Sequence, residues 1–324
     1  MVLELDVMAT LKLFFSTDIH GSEKTFVKFL NSAKFYGVNT LIMGGDITGK
    51  MVVPLVSQID GSYKTTFLGS DITAKTSDDL INLEKQIRFN GFYPYRTDPK
   101  ELEELKSDSG KVDQLFSRLM AESIQRWIGV AEDRLQKLGV RCFITPGNDD
   151  RFQVDEALGK SNYVVNPEGK VIDLEGYEMI STGYSNKTPF NAPREEDEDS
   201  LGERIARMIE HTKNLKSCIF NFHCPPYDSG IDLAPQLDKD MRPILSPSGG
   251  FEMVPAGSTA VRKMIEEHQP LLGLHGHIHE SSGIKRIGRT LCVNPGSQYA
   301  DGVLRGALVT IKDGKVENYL LTRG

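Results

Sequence analysis

Five short apolar stretches in this 324-residue chain each run straight into a motif built from Asp, Asn or His. Leu11 to Phe15 leads to Asp18-Ile19-His20, and Thr40 to Met43 leads to Gly44-Gly45-Asp46. Val140 to Ile144 leads to Gly147-Asn148-Asp149-Asp150, Cys218 to Phe222 to His223, and Leu271 to Leu274 to His275-Gly276-His277-Ile278-His279. Short apolar runs of this kind are the signature of buried strands in a layered α/β fold. In such folds functional side chains gather where strands run out into loops at one edge of a sheet. The pattern therefore predicts five strand endings converging on one crevice. A helix between the first two strands, from Ser22 as cap to Tyr36, follows from the spacing of Phe26, Val27, Phe29, Leu30 and Ala33.

The chain has seven histidines, and three of them fall between positions 275 and 279. In an extended segment residues i and i+2 point the same way, so the spacing predicts that His277 and His279 offer two imidazoles to one place. His211 and His268 lie in helical patterns and read as solvated. His275 adjoins the cluster, and a supporting role and a purely structural one both remain open for it.

The ordered set Asp18-x-His20, Gly45-Asp46, Gly147-Asn148-Asp149, His223 and Gly276-His277-x-His279 resembles the calcineurin-like metallophosphoesterases, from Leu11 to about Val293. The resemblance implies a four-layer α/β/β/α sandwich and a binuclear centre. Asp18, His20, Asp46 and His279 would hold one metal, and Asn148, His223 and His277 the other, with Asp46 bridging. Mixed nitrogen and oxygen ligands suit Mn, Fe, Co, Ni or Zn, so two divalent transition-metal ions are the expected cofactors. The implied reaction is hydrolysis of a small phosphoester, with a phosphodiesterase expected first. A phosphomonoesterase, or a metal-stabilised binding or scaffold protein without turnover, is the alternative.

The sequence also departs from the family. Its third motif carries a histidine where this chain has Asp149, so an imidazolium cannot form there, and two nearby metal cations favour an ionised carboxylate. Asp149 and His275 are the candidate catalytic groups, with the identity of the acid unsettled. Asp150 reads as an N-cap of a short helix up to Leu158, or as a supporting acceptor. Purple acid phosphatases have a metal-binding tyrosine where this chain has Gly49. Protein Ser/Thr phosphatases carry Asp-Arg-Gly and Gly-Asn-His-Glu motifs where it has Ile47-Thr48-Gly49-Lys50 and Asn148-Asp149-Asp150. Neither subgroup is expected.

Residues 1–324 read as one metallophosphoesterase domain carrying an inserted, mainly helical, cap-like subdomain at 51–138. A hairpin turning at Asp60-Gly61, helices near Ser77 to Asn90 and Pro99 to Leu138, and an aromatic loop at Phe89 to Arg96 are predicted within it. That loop reads either as a contact for a flat substrate group or as core packing of the insertion. A further helix is expected from Leu201 to Leu215, preceded by a solvated acidic run at Glu195 to Asp199. Another is expected after a Ser258 cap.

A formal net charge of −7 provides no basic footprint for long nucleic acid. No stretch approaches the roughly 18 apolar residues of a membrane span, and Met1 to Thr10 has no basic leader-like region, so a cytoplasmic protein is expected. Four scattered cysteines read as buried reduced thiols.

Overall fold

The computed structural model describes residues 9–247 and 249–324. The segment 1–8, which holds most of the Met1 to Thr10 stretch, and Ser248 lie outside the described residues.

Two six-stranded sheets form the body. The first runs, edge to edge, Lys315–Arg323, Arg305–Lys312, Leu11–Ser16, Thr40–Met43, Arg141–Ile144 and Val164–Val165. The second runs Gly283–Ile287, Thr290–Asn294, Leu272–Leu274, Ile219–Phe222, Tyr177–Thr182 and Val171–Leu174. Each has a parallel centre with antiparallel pairing towards an edge. All five apolar runs are strands, three central in the first sheet and two in the second. Register brings their ends level: Ser16 lies beside Met43, Met43 beside Ile144, and Asn221 beside Leu274.

Alternation along the strands separates the cores, because successive side chains point to opposite faces. Leu13, Phe15, Ile42 and Phe143 pack with Met179, Ile219, Leu272 and Leu291 in one cluster shared by the two sheets. Phe14, Leu41 and Cys142 join Phe26, Phe29 and Leu30 of helix Glu23–Tyr36 in another. Ile180, Phe220 and Phe222 meet Leu201 and Ile205 of helix Glu198–Ile209 and Val261 and Ile265 of helix Thr259–His268. Burying each such side chain is worth roughly 1.5–3 kcal/mol, which fixes the sheets rigidly behind the loops they emit.

Ser22 and Ser258 cap their helices as expected, accepting from the N–H groups of Thr25 and Val261. The helix expected from 201 to 215 instead starts at Glu198, capped by Asp197, and ends at Ile209. Its acidic prelude is engaged: Glu196 pairs with Arg204, and Glu198 accepts from the Ser258 hydroxyl.

The segment 51–138 holds more strand than the sequence suggests. A four-stranded sheet, ordered Ser70–Ala74, Tyr63–Phe67, Val52–Ser57 and Tyr93–Thr97, packs with helix Ser77–Phe89 around Val53, Leu55, Leu80, Leu83 and Ile87. The predicted hairpin is present between Val52–Ser57 and Tyr63–Phe67. The expected aromatic loop is partly strand, because Pro94 occupies an edge strand, where a missing N–H is tolerated. Helix Ser109–Leu135 then leaves this small core and packs Met120, Ile124, Trp127 and Ile128 into the main one, with Trp127 stacked on Phe26 at 4.2 Å between ring centroids. Among the described residues no helix is long and apolar enough to cross a membrane. All four cysteines are buried and free.

Candidate metal centre

The loops beyond the five strand ends bring six of the seven predicted ligands into two adjacent clusters. Asp18, His20 and His279 form one, and Asp46, His223 and His277 the other, with ligand atoms in each cluster all within 4.8 Å of one another. Asn148 completes the second cluster, its Oδ1 lying 2.8 Å from His277 Nδ1. Asp46 faces both: Oδ2 is 3.7 Å from His20 Nε2, and Oδ1 is 3.5 Å from His223 Nε2. One carboxylate thus presents an oxygen to each side.

The donor set fits metal ions. His223 Nδ1 lies 3.0 Å from the Gly44 carbonyl oxygen, a contact that requires the proton on Nδ1 and leaves the Nε2 lone pair free in the neutral ring. That Nε2 is buried and has no hydrogen-bond partner among the described residues, an arrangement that is costly unless a cation takes it up. His20 Nε2 and His279 Nε2 approach to 3.0 Å, two nitrogens converging on the same space.

Backbone conformation is what aims these groups. Asp18, His20, Asp46 and His277 have φ of 53°, 39°, 49° and 66°, a region side-chain-bearing residues seldom adopt and one that costs on the order of 1–3 kcal/mol each. Neighbouring hydrogen bonds hold them there. The N–H groups of Asp18 and His20 donate to the carbonyls of Gly45 and Asp46 at 2.9 Å, and His277 N donates to the Asp18 carboxylate at 3.0 Å. Gly276 is required for this approach, since a Cβ there would collide with Thr17 Oγ1 and Asp18 Oδ2.

The left-handed turn at His277 corrects the extended-segment expectation. The strand ends at Leu274, Ile278 N folds back to Gly276 O at 2.7 Å, and His277 and His279 go to different clusters rather than to one place.

Burial and charge act in opposition across the site. Burial alone would lower the His223 pKa, but the carboxylates of Asp46 and Asp18 raise it to about 9. Burial pushes His20 down to about 3 and His277 to about 4. For Asp18, burial opposes ionisation, yet His223 and His279 together bring its carboxyl down to about 2. Asp46 is likewise held below the ordinary carboxylate range by His223 and His20 against burial.

The two candidate catalytic groups part company. Asp149 stands at the site: its carboxylate lies within 4.8 Å of ligand atoms of His20 and Asp46, and its N–H donates to Asp46 Oδ1 at 3.0 Å. His275 is fully buried, with Nδ1 2.9 Å from the Phe222 carbonyl and Nε2 packed beside Gly273 and Cys292. Burial lowers its pKa to about 4. Its ring lies buried behind the strand ends, held by the Phe222 and Cys224 carbonyls, which favours the supporting role over a catalytic one.

Asp150 is an acceptor and not a helix cap. The helix is Gln153–Leu158, entered from Phe152 without a side-chain cap. The Asp150 carboxylate accepts from Ile47 N at 3.0 Å, Thr48 N at 2.9 Å and Gly147 N at 2.7 Å, tying the second motif to the third.

Sequence reasoning missed several neighbours. Lys50 Nζ is 2.7 Å from Asp149 Oδ2. Burial opposes the Lys50 charge, but the hydrogen bond and charge of Asp149, with Asp46, hold its pKa above the ordinary lysine value. Glu195 Oε1 accepts from Asn148 Nδ2 at 3.4 Å, orienting the amide oxygen towards His277. Tyr299 packs its ring 4.7 Å from that of His20, and Ser297 donates to the Asp18 carbonyl at 2.6 Å. The sequence signal that could have found these two is the Pro295-Gly296 turn, which follows the apolar strand Thr290–Asn294.

The motif order and the meeting of its side chains now coincide. The site brings together the residues that the resemblance to calcineurin-like metallophosphoesterases singles out. No family model matches the chain. It is 35% identical over 152 residues to the protein named Uncharacterized protein MJ1162 of Methanocaldococcus jannaschii, a match spanning 46% of this chain and 61% of that relative. The protein TT1561 of Thermus thermophilus shares the fold at a TM-score of 0.52 and 14% identity, over 98% of this chain and 99% of that one. A structure described as a novel archaeal phosphodiesterase aligns over 97% of this chain and 100% of its own at 11% identity, and its TM-score of 0.33 carries no weight.

Proposed function

We propose that this chain is a calcineurin-like metallophosphoesterase that hydrolyses small phosphodiesters, nucleotide-like ones among them, using two divalent transition-metal ions. The observation that carries the reading is Asp46, whose two oxygens face the two histidine-bearing clusters. Asp18, His20, Asp46 and His279 would hold one ion, and Asp46, Asn148, His223 and His277 the other. Such ions, drawn from Mn, Fe, Co, Ni and Zn, supply Lewis acidity and make water nucleophilic near neutral pH.

The diester preference is carried over from the resemblance, since Asp149 is paired with Lys50 at 2.7 Å and that pair adds no net charge beside the clusters. The insertion at 51–138 acts as a substrate-selecting cap in this reading. It docks directly on the site's loops, with Ser22 Oγ donating to Phe89 O at 2.8 Å and Gly49 N donating to the Tyr93 hydroxyl at 2.8 Å. The two tyrosines of its aromatic segment are otherwise engaged: Tyr93 is buried, and Tyr95 donates to Glu101 at 2.6 Å. An α/β/β/α layering, a cytoplasmic location and indifference to long nucleic acid complete the proposal.

The test is a screen of the purified chain, supplemented with each metal in turn, against bis(p-nitrophenyl) phosphate, p-nitrophenyl phosphate and cyclic nucleotides. Metal-dependent diester turnover exceeding monoester turnover is expected. A monoester preference would overturn the diester assignment, and inertness towards every ester with every metal would overturn the enzyme reading.

A further inference from the structure

We propose that Lys50, held in place by Asp149, supplies the cationic side chain that contacts the leaving-group oxygen in this site. The inference rests on the phosphoesterase reading above. Asp149 occupies the position where the resembling family carries a potentially cationic histidine, and a carboxylate has only acceptor capacity when paired to an ammonium. The structure brings the missing positive charge from a different loop. Lys50 Nζ lies 2.7 Å from Asp149 Oδ2, while Asp149 is itself fixed by its N–H bond to Asp46 and stands within 4.8 Å of the ligand atoms of His20 and Asp46. The ammonium is therefore at the mouth of the centre.

The bland alternative is an ordinary surface ion pair. The side chains are 51% and 37% exposed, and pairs so exposed contribute little to stability. The same exposure leaves Lys50 open to an arriving phosphoester. Asp149 keeps its flexible stem pointed towards the centre, and a hydrogen bond this weakly worth in water is readily exchanged for one to an anionic oxygen.

In the reaction, the oxygen of water forms the new bond to phosphorus and its proton passes to solvent. The bond from phosphorus to the leaving alcohol breaks with its electron pair remaining on the alcohol oxygen. The Lys50 ammonium donates a hydrogen bond to that developing anion, and the alcohol takes its final proton from solvent. Lys50 is thus a catalytic residue acting through charge, and Asp149 a positioning residue acting through Lys50.

The experiment compares manganese-loaded wild type, Lys50→Gln, Lys50→Arg and Asp149→Asn on aryl phosphodiesters of graded leaving-group pKa. Metal content is measured by elemental analysis and inorganic phosphate affinity by calorimetry. Loss of one preorganised donor typically costs about 10²-fold in kcat. Lys50→Gln should show a loss of that order for the poorest leaving groups, a smaller one for p-nitrophenolate, weaker phosphate binding and unchanged metal content. Lys50→Arg should recover most of the rate, and Asp149→Asn should lower kcat more than it raises KM. An unchanged dependence on leaving group with unchanged phosphate affinity in Lys50→Gln would overturn the role of Lys50. Loss of an ion in Asp149→Asn would make Asp149 a ligand and overturn its positioning role. A wild type inert towards every ester would instead overturn the underlying reading of the site.

Discussion

The imidazole of His223 is locked by the carbonyl oxygen of Gly44, 3.0 Å from Nδ1, so that its buried Nε2 points between Asp46 Oδ1, 3.5 Å away, and Asp18 Oδ1, 3.8 Å away, with no hydrogen-bond partner among the described residues. A histidine carried on the second sheet is thereby oriented by a glycine from the first, which couples assembly of the sheets to assembly of the site. Removing the ring should empty one cluster and spare the other. His223→Ala is expected to bind about one ion per chain where wild type binds two, since ligand loss typically lowers metal affinity severely. Equal stoichiometry by elemental analysis would show that His223 is not a ligand.

The Tyr93 hydroxyl accepts from Gly49 N at 2.8 Å in a buried setting. Tyr93→Phe leaves that N–H unpaired, at a cost of about 1–3 kcal/mol. A lower Tm in calorimetry is expected, with little change in substrate ranking, because the ring faces the protein. A changed ranking with unchanged Tm would return Tyr93 to the substrate-contact role.

Glu168 accepts from Gly183 N at 2.6 Å and from the Thr182 hydroxyl at 3.0 Å. Burial pushes its pKa up from 4.5 to about 7, outweighing those hydrogen bonds and the nearby arginines. Between these values the folded chain retains a proton that the unfolded chain has lost. Its contribution to stability is therefore full below about pH 4.5 and declines as pH rises through about 7, with a slope of at most about 1.4 kcal/mol per pH unit. Glu168→Gln should flatten that part of the stability profile measured by urea unfolding. A profile identical to wild type from pH 5 to 7 would contradict it.

Much of the site was legible because strands announce themselves. The five apolar runs, the caps at Ser22 and Ser258 and the ligands at strand ends need only local pattern. Direction was not legible from spacing, although the resemblance divides the two: His277 and His279 diverge because of a left-handed residue that spacing cannot reveal. Lys50 and Glu195 escaped notice because each reaches the site across the fold, to Asp149 and Asn148. The strand at Tyr93–Thr97 was obscured by Pro94, whose place on an edge depends on pairing with the distant Val52–Ser57.

The central claim is that Asp46 bridges two metal ions. Its most direct test is metal stoichiometry of Asp46→Asn beside wild type after manganese loading and removal of free metal, with folding confirmed by circular dichroism. The account predicts two ions in wild type and loss of most bound metal in the variant, because an amide offers one neutral oxygen where the bridge needs two. Retention of two tightly bound ions by a folded Asp46→Asn chain would contradict it.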